Sequence, residues 1–115
     1  MSNLIYIASP YTHTDKKVIE ENYIKVTKFV ADLTARGNVV ISPITYGHTI
    51  LQFVDLPNDW EFWKNFCVTI LKKCDEMIVY QMDGWEDSRG VQEEIKIAEE
   101  LGIKISYQKY IGNGE

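Results

Sequence analysis

The sequence predicts an α/β fold in which helices cover a parallel sheet. Four short apolar runs, rich in β-branched side chains, occur along the chain and are typical of buried strands. Between them lie longer segments in which apolar residues recur at helical spacing. Strands separated by helices of this length are joined by right-handed crossovers and form a parallel sheet.

The first part of the chain predicts a strand, a helix and a second strand. Residues 4–8 form an apolar run that ends before Pro10, as expected of a buried strand followed by a loop. Apolar side chains recur at helical spacing over residues 15–36, and Gly37 is typical of a helix end. Residues 38–42 are again apolar and precede a proline, which predicts the second strand.

The second part predicts two further helices and two further strands. A long polar and aromatic connection from Pro43 to Pro57 receives no assigned element. The elements predicted after it are a helix over 59–73, a strand over 76–80, a helix that starts at Asp87 or Ser88 and ends before Gly102, and a strand over 103–107. The tail over 112–115 is expected to be frayed.

Together these elements predict a single domain over residues 1–115, because this length suffices for one hydrophobic core. The expected architecture is a Rossmann-like or flavodoxin-like three-layer sandwich with a parallel sheet of about four or five strands. Ligands bind such sheets beyond the carboxyl ends of the strands, where the strand order reverses. The segments expected there are 9–13, 43–48 and 81–90.

The composition restricts the classes of partner. Hydrophobic residues make up 45% and charged residues 25% of the chain, as in ordinary soluble proteins. The formal net charge of -5 argues against binding to a nucleic acid polymer, which usually needs a basic patch. No segment has the length and apolarity of a membrane span, so we expect a cytoplasmic protein without membrane contacts.

The cysteines and histidines give little support to a metal site. Cys67 and Cys74 lie seven residues apart in a predicted helix, too far apart for a disulfide, and are expected to be buried free thiols. The chain has only two histidines and no CxxC motif. We therefore expect neither a metal nor a cofactor.

One carboxylate falls on the apolar face of the last predicted helix. At about 100° per residue, Glu94 lies within the apolar stripe while Glu93 points to the opposite side. The stripe consists of Val91, Ile95, Ala98 and Leu101. A buried carboxylate is costly and tends to shift its pKa, which makes Glu94 a candidate site residue. The alternative is that Glu94 lies at the edge of the stripe and reaches water or a nearby lysine.

The start of this helix is a second candidate. A helix N-terminus offers free N–H groups, the Ser88 hydroxyl adds a donor, and Gly90 permits close approach of a ligand. This combination suits a small phosphate or carboxylate. The alternative is that Asp87 or Ser88 only caps the helix.

Three segments together carry a resemblance to a known family. They are Tyr6-Ile7-Ala8-Ser9-Pro10-Tyr11, Ile41-Ser42-Pro43-Ile44 and Ser88-x-Gly90-Val91-x-x-Glu94-Ile95-x-x-Ala98. The pattern resembles the nucleoside 2-deoxyribosyltransferase superfamily, and the Ser-x-Gly-Val-x-x-Glu spacing is similar to its 2'-deoxynucleoside 5'-monophosphate N-hydrolase branch. The order of elements agrees from about residue 4 to residue 107.

The resemblance implies roles for several residues. Glu94 matches the nucleophile that attacks the anomeric carbon of the sugar, and Tyr6 matches a tyrosine that orients it. Ser88 and Gly90 match the loop that holds a 5'-phosphate, which Arg89 could also pair with, although a solvent-exposed salt bridge is its default. The remaining substrate-binding candidates are Ser9, Pro10, Tyr11 and His48. The resemblance also implies a homodimer or larger homo-oligomer whose pocket a neighbouring chain completes.

The sequence departs from the family at one position. Relatives commonly carry an aspartate where Cys67 stands, which contributes to sugar binding or to proton handling at the base. Asp75 lies at the wrong end of its strand and is interpreted as structural. Asp83 lies at the correct end and could protonate the leaving base, or it could be a turn residue. His48 could contact the base or act as an acid, or it could satisfy backbone groups in a loop.

Three hypotheses follow. The leading one is an enzyme that cleaves or transfers at the N-glycosidic bond of a nucleoside or nucleoside 5'-monophosphate, with Glu94 as nucleophile. The second is a non-catalytic module of the same fold that senses or sequesters a nucleotide-derived ligand. The third is a small interaction protein that binds a partner through Trp60 and Trp63.

Overall fold

The computed structural model describes residues 3–111, and the expected fraying of the tail over 112–115 falls outside them. The described elements, in chain order, are β1 (Leu4–Ala8), α1 (Lys16–Ala35), β2 (Val39–Ile41), α2 (Pro43–Leu51), α3 (Trp60–Leu71), β3 (Glu76–Gln81), α4 (Arg89–Leu101) and β4 (Lys104–Lys109). The predicted α/β class is confirmed.

The four strands in the described part of the chain are parallel, in the order β2-β1-β3-β4. The chain passes from β1 to β2 on one side and then crosses to β3 on the other side of β1. The strand order therefore reverses between β1 and β3, where ligands bind in sheets of this kind.

The apolar core lies on both faces of the sheet. Alternate residues of β1 point to opposite faces, so that Tyr6 belongs to the cluster under α3 and α4 while Ile7 belongs to the cluster under α1. Both side chains are completely buried. At the amino end of β1, the Leu4 N–H donates to Asp75 Oδ2 over 2.7 Å, in keeping with a structural role for this aspartate.

Helix α2 corrects one sequence prediction, because it lies within the connection that received no element. Ser42 caps this helix by accepting a hydrogen bond from the Thr45 N–H at 3.1 Å. Pro43 occupies the first turn, where its missing N–H costs nothing. The proline that ends the second strand thus also begins a helix, and His48 lies on this helix rather than in a loop. Among residues 3–111, no helix has the length and apolar character needed to cross a membrane.

Candidate active site

A cavity of about 330 Å³ opens at the carboxyl end of the sheet, next to the reversal between β1 and β3. Its wall comes from the loop after β1, from α2 and α3, and from the first two turns of α4. Volumes of this size are typical of small-molecule sites. The sequence-predicted residues that line it are Ser9, Tyr11, His48, Ser88, Arg89, Gly90 and Glu94.

Three predicted residues lie elsewhere. Tyr6 contacts Glu94 without being part of the cavity wall, and Pro10 is buried in the loop after β1. Asp83 is exposed and lies outside the cavity wall. The Trp85 N–H closes a turn onto the Met82 carbonyl at 3.1 Å, and Gly84 adopts a positive φ within it. This geometry fits the turn interpretation of Asp83 rather than an acid facing a ligand.

Glu94 is the buried carboxylate of the site, with 6% of its surface exposed. The Tyr6 hydroxyl donates a hydrogen bond to Glu94 Oε2. Burial raises the pKa of Glu94 from 4.5 to about 8, while the bond from Tyr6 acts in the opposite direction. The carboxyl group of the free protein is therefore mostly protonated at neutral pH, and the edge-of-stripe alternative does not hold.

The neighbours of Glu94 also keep their protons. Burial, followed by the charge of Glu94, raises the pKa of Tyr6 well above 10.0. The same two causes raise the pKa of Cys67 to about 12, while its hydrogen bond with Tyr6 lowers it. Burial raises the pKa of Cys74 to about 11. Both cysteines are free and buried, as predicted, and neither is activated as a nucleophile.

His48 organises the opposite side of the cavity. Its Nδ1 lies 2.7 Å from the Tyr11 hydroxyl and its Nε2 lies 3.0 Å from Glu20 Oε1. The Tyr23 ring stacks on the imidazole with 4.1 Å between centroids. Burial, and then the charge of Glu20, raises the pKa of Tyr11. Two ring nitrogens with specific partners give this histidine a fixed orientation at the cavity.

The start of α4 forms a third part of the wall. Ser88 caps the helix, since its Oγ accepts from the Val91 N–H at 3.3 Å, so the capping interpretation holds while the residue also lines the cavity. The Arg89 guanidinium pairs with Glu61 of α3, and both side chains are about two-thirds exposed, at 66% and 65%. Of this pair, Arg89 lines the cavity. Gly90 keeps the wall open beside Trp60.

Sequence reasoning missed several wall residues. Trp60 and Trp63 are not among the predicted site residues and carry the hypothesis of a partner-binding surface, yet both line the cavity. Their helical spacing with Cys67 was the available signal, because residues 60, 63 and 67 share one face of α3. Asp59 also lines the cavity, although its sequence position indicates only a helix start, and Asp87 lines it within the segment 81–90 that was expected at this end of the sheet.

One polar group of the wall has no protein partner. Among residues 3–111, Ser9 Oγ is the buried side-chain oxygen without a hydrogen-bond partner. Because an unsatisfied buried hydroxyl is costly, it is a natural contact for a polar ligand. No group of three or more His, Cys, Asp or Glu side chains in the described part of the chain could hold a metal ion.

Comparisons with known proteins agree with the fold. No curated protein matches the chain. The solved structure of a 2-deoxyribosyltransferase from the psychrotolerant bacterium Bacillus psychrosaccharolyticus is similar, with a TM-score of 0.63 and 24% sequence identity. The match covers 96% of this chain and 74% of that chain, which confirms the predicted fold. Residues 3–109 match the model of a domain of unknown function, DUF1937, and the chain belongs to that family.

Proposed function

We propose that this protein is an enzyme that cleaves or transfers at the N-glycosidic bond of a nucleoside or nucleoside 5'-monophosphate. The observation that carries the proposal is Glu94, the buried carboxylate among residues 3–111, which lines the cavity and accepts a hydrogen bond from Tyr6. The description of the structural neighbour as a 2-deoxyribosyltransferase supports a nucleoside as the ligand. A homodimer or larger assembly in the cytoplasm is part of the same proposal.

Glu94 acts as the nucleophile in its ionised form. Breaking an N-glycosidic bond develops positive charge on the sugar, which a carboxylate below the ring stabilises and then captures as a covalent intermediate. Tyr6 holds Oε2 of Glu94 and leaves Oε1 for the anomeric carbon. The same burial that raises the pKa of Glu94 to about 8 strengthens this attraction, because little water competes in the site.

The two ends of the substrate are assigned to different parts of the cavity wall. The start of α4, with Ser88 and Gly90, receives the 5' end of the sugar, where free N–H groups favour oxygen ligands. A 5'-phosphate would take Arg89 from its partner Glu61. The base lies between His48 and the tryptophans of α3, whose rings offer stacking surfaces. Water releases the sugar from Glu94 in a hydrolase, and a second base does so in a transferase.

Two observations favour a ligand-binding module without turnover as the second candidate. Cys67 contributes a thiol where the resemblance implies an aspartate, and burial raises the pKa of this thiol to about 12. Burial also raises the pKa of Glu94 to about 8, which favours its protonated form. A protonated Glu94 could donate a hydrogen bond to a ligand instead of attacking it.

Release of free base tests the two candidates. The protein is incubated with a panel of nucleosides and nucleoside 5'-monophosphates, and the products are separated by chromatography. Glu94→Gln keeps the shape of the site but removes the nucleophile, so activity should fall by at least about a thousand-fold. Glu93→Gln, on the adjacent residue with its carboxylate near Lys96, is the matched control and should retain activity.

The chemical intermediate gives an independent readout. Acid quenching during turnover should leave a sugar adduct on the peptide that contains Glu94, detectable by mass spectrometry. Base release that persists in Glu94→Gln would contradict the proposed nucleophile. Silence of the wild type across the panel, together with a raised melting temperature in the presence of a panel member, would instead favour the binding module.

A further inference from the structure

A chain of hydrogen bonds connects the cavity with solvent on the side opposite Glu94. Tyr11 and His48 line the cavity, and their side chains meet at 2.7 Å. His48 then contacts Glu20 of α1 at 3.0 Å. The histidine side chain is 10% exposed and the glutamate side chain is 56% exposed. The Glu20 side chain is therefore exposed to water, whereas Tyr11 and His48 line the cavity.

We propose that Tyr11 and His48, positioned by Glu20, form a proton relay that serves the leaving base. The proposal rests on the proposed function, because it assigns the general acid of that reaction. Tyr11 and His48 are the residues that pass the proton, and Glu20 is a positioning residue that acts through His48. The relay takes the role that Asp83, exposed and outside the cavity wall, is not placed to fill.

The proposed step requires one direction for each of the two hydrogen bonds of His48. The Glu20 carboxylate accepts from Nε2–H of a protonated His48, and Nδ1–H donates to the Tyr11 oxygen. The Tyr11 hydroxyl is then free to donate into the cavity. Because burial and the charge of Glu20 raise the pKa of Tyr11, its hydroxyl keeps a proton until the base requires it.

Protons and electrons balance in the proposed step. As the C–N bond breaks, its electron pair moves to the base, and Glu94 forms a bond to the anomeric carbon. The base takes the Tyr11 proton, and Tyr11 takes the Nδ1 proton of His48, which becomes neutral. When water or a second base attacks the anomeric carbon, the proton that it loses restores His48, and the Glu94 carboxylate is released.

The alternative is that these contacts only brace the fold, since they join the loop after β1, α1 and α2. Stacking of Tyr23 on His48 contributes to the same packing. A brace and a relay differ in how they depend on the leaving group. A relay matters only where the leaving group needs a proton, whereas a brace affects every substrate alike.

The experiment compares two leaving groups in the intact protein. One substrate is the nucleoside or nucleotide that the panel identifies, and the other is the 4-nitrophenyl deoxyriboside with the same 5' group, which leaves as a stable anion. Glu20→Gln should lower kcat/KM on the first by about tenfold or more and change the second by less than about twofold. Glu21→Gln, exposed on the same helix, is the matched control and should change neither.

Each other outcome overturns the proposal. Equal losses on both substrates, or no loss on either, would assign Glu20 to the fold alone while leaving the proposed function intact. Tyr11→Phe must show the same selective loss. If Glu20→Gln lowers the melting temperature, the result for Tyr11→Phe decides the test. A wild type that is inactive on both substrates would remove the proposed function and the relay with it.

Discussion

The two sides of the cavity hold their titratable groups in opposite ways. On the β1 and α4 side, Glu94 is buried against Tyr6, which is itself completely buried. On the α1 and α2 side, His48 also contacts a tyrosine, Tyr11, but its other ring nitrogen meets the exposed Glu20. On both sides a tyrosine hydroxyl contacts a titratable group. The sides differ because only the group on the α1 and α2 side also contacts a solvent-exposed residue.

This difference separates two tasks that one acid–base group performs poorly. A nucleophile benefits from a dry environment, where its charge interacts strongly with the substrate. A proton donor must give up a proton and regain one in each turnover, which a chain of hydrogen bonds allows. We call the β1 and α4 side, with Tyr6 and Glu94, the dry side, and the α1 and α2 side, with His48 and Glu20, the wet side. Burial on the dry side raises the pKa of Glu94 to about 8, and the wet side carries the chain of hydrogen bonds.

The largest expected effect concerns stability on the dry side. A carboxyl group with a higher pKa in the folded protein binds more protons there than in the unfolded chain, so stability falls as pH rises. For Glu94 this loss develops between about 4.5 and about 8. Glu94→Gln removes the ionisable group, so the variant should gain stability over the wild type across this range, by several kcal/mol at its upper end.

Urea unfolding at a series of pH values measures this difference. Glu93→Gln is the control, because Glu93 lies next in sequence and near Lys96 rather than in the core. Its stability relative to the wild type should show no comparable rise. A constant difference between Glu94→Gln and the wild type from pH 5 to pH 9 would mean that Glu94 is not held in its protonated form.

A smaller effect compares the two tyrosines. The bond from Tyr6 lowers the pKa of Glu94, so Tyr6→Phe lets this pKa rise further. With the 4-nitrophenyl substrate, which needs no proton donor, wild-type kcat/KM should rise with pH through about 8. In Tyr6→Phe the rise should move to higher pH, and the neutral-pH value should fall about 10- to 100-fold.

Tyr11→Phe is the matched control for that profile. It removes the corresponding hydroxyl on the wet side and should leave the pH dependence with the 4-nitrophenyl substrate in place. If both variants shift the profile equally, the two sides are not independent. If neither does, the hydrogen bond from Tyr6 does not tune Glu94.

The dry side was largely predictable from sequence, and the wet side was not. Glu94 falls within a helical stripe, a local pattern that periodicity reveals. The contact between His48 and Glu20 joins positions 28 apart on different helices, and no local pattern encodes it. The helix that carries His48 was missed because Pro43 was interpreted only as a strand end, although a preceding serine makes the pair a helix start.

Residues after strands illustrate a further limit. Asp83 and Asp87 both follow β3, and only Asp87 lines the cavity, because the turn at Gly84 directs the backbone between them. Helical spacing likewise placed Trp60 and Trp63 on one face without indicating whether that face meets solvent or a cavity. Tertiary packing decides such cases.

The smallest expected effect concerns two glycines in different parts of the cavity wall, each of which faces a tryptophan of α3. A Cβ at Gly90 would lie 3.7 Å from Trp60 Cε3, and one at Gly47 would lie 3.5 Å from Trp63, both ordinary contacts. Neither glycine has a positive φ. Alanine should therefore keep or raise the melting temperature of each variant, since it favours a helix over glycine by about 1 kcal/mol.

The added methyl groups should separate the two ends of the ligand. Gly90→Ala narrows the wall at the start of α4 and should raise KM for a 5'-monophosphate by about threefold to tenfold, with less effect on the nucleoside. Gly47→Ala narrows the wall beside His48 and should raise KM for both ligands alike, because both carry the base. If the two variants respond identically to the 5'-phosphate, the substrate does not lie with its base against α2 and its sugar against α4. The assignment of the proton donor to Tyr11 and His48 would then fail as well, because these residues can protonate the base only if it lies beside them, whereas the contact between Tyr6 and Glu94 does not depend on the orientation of the ligand.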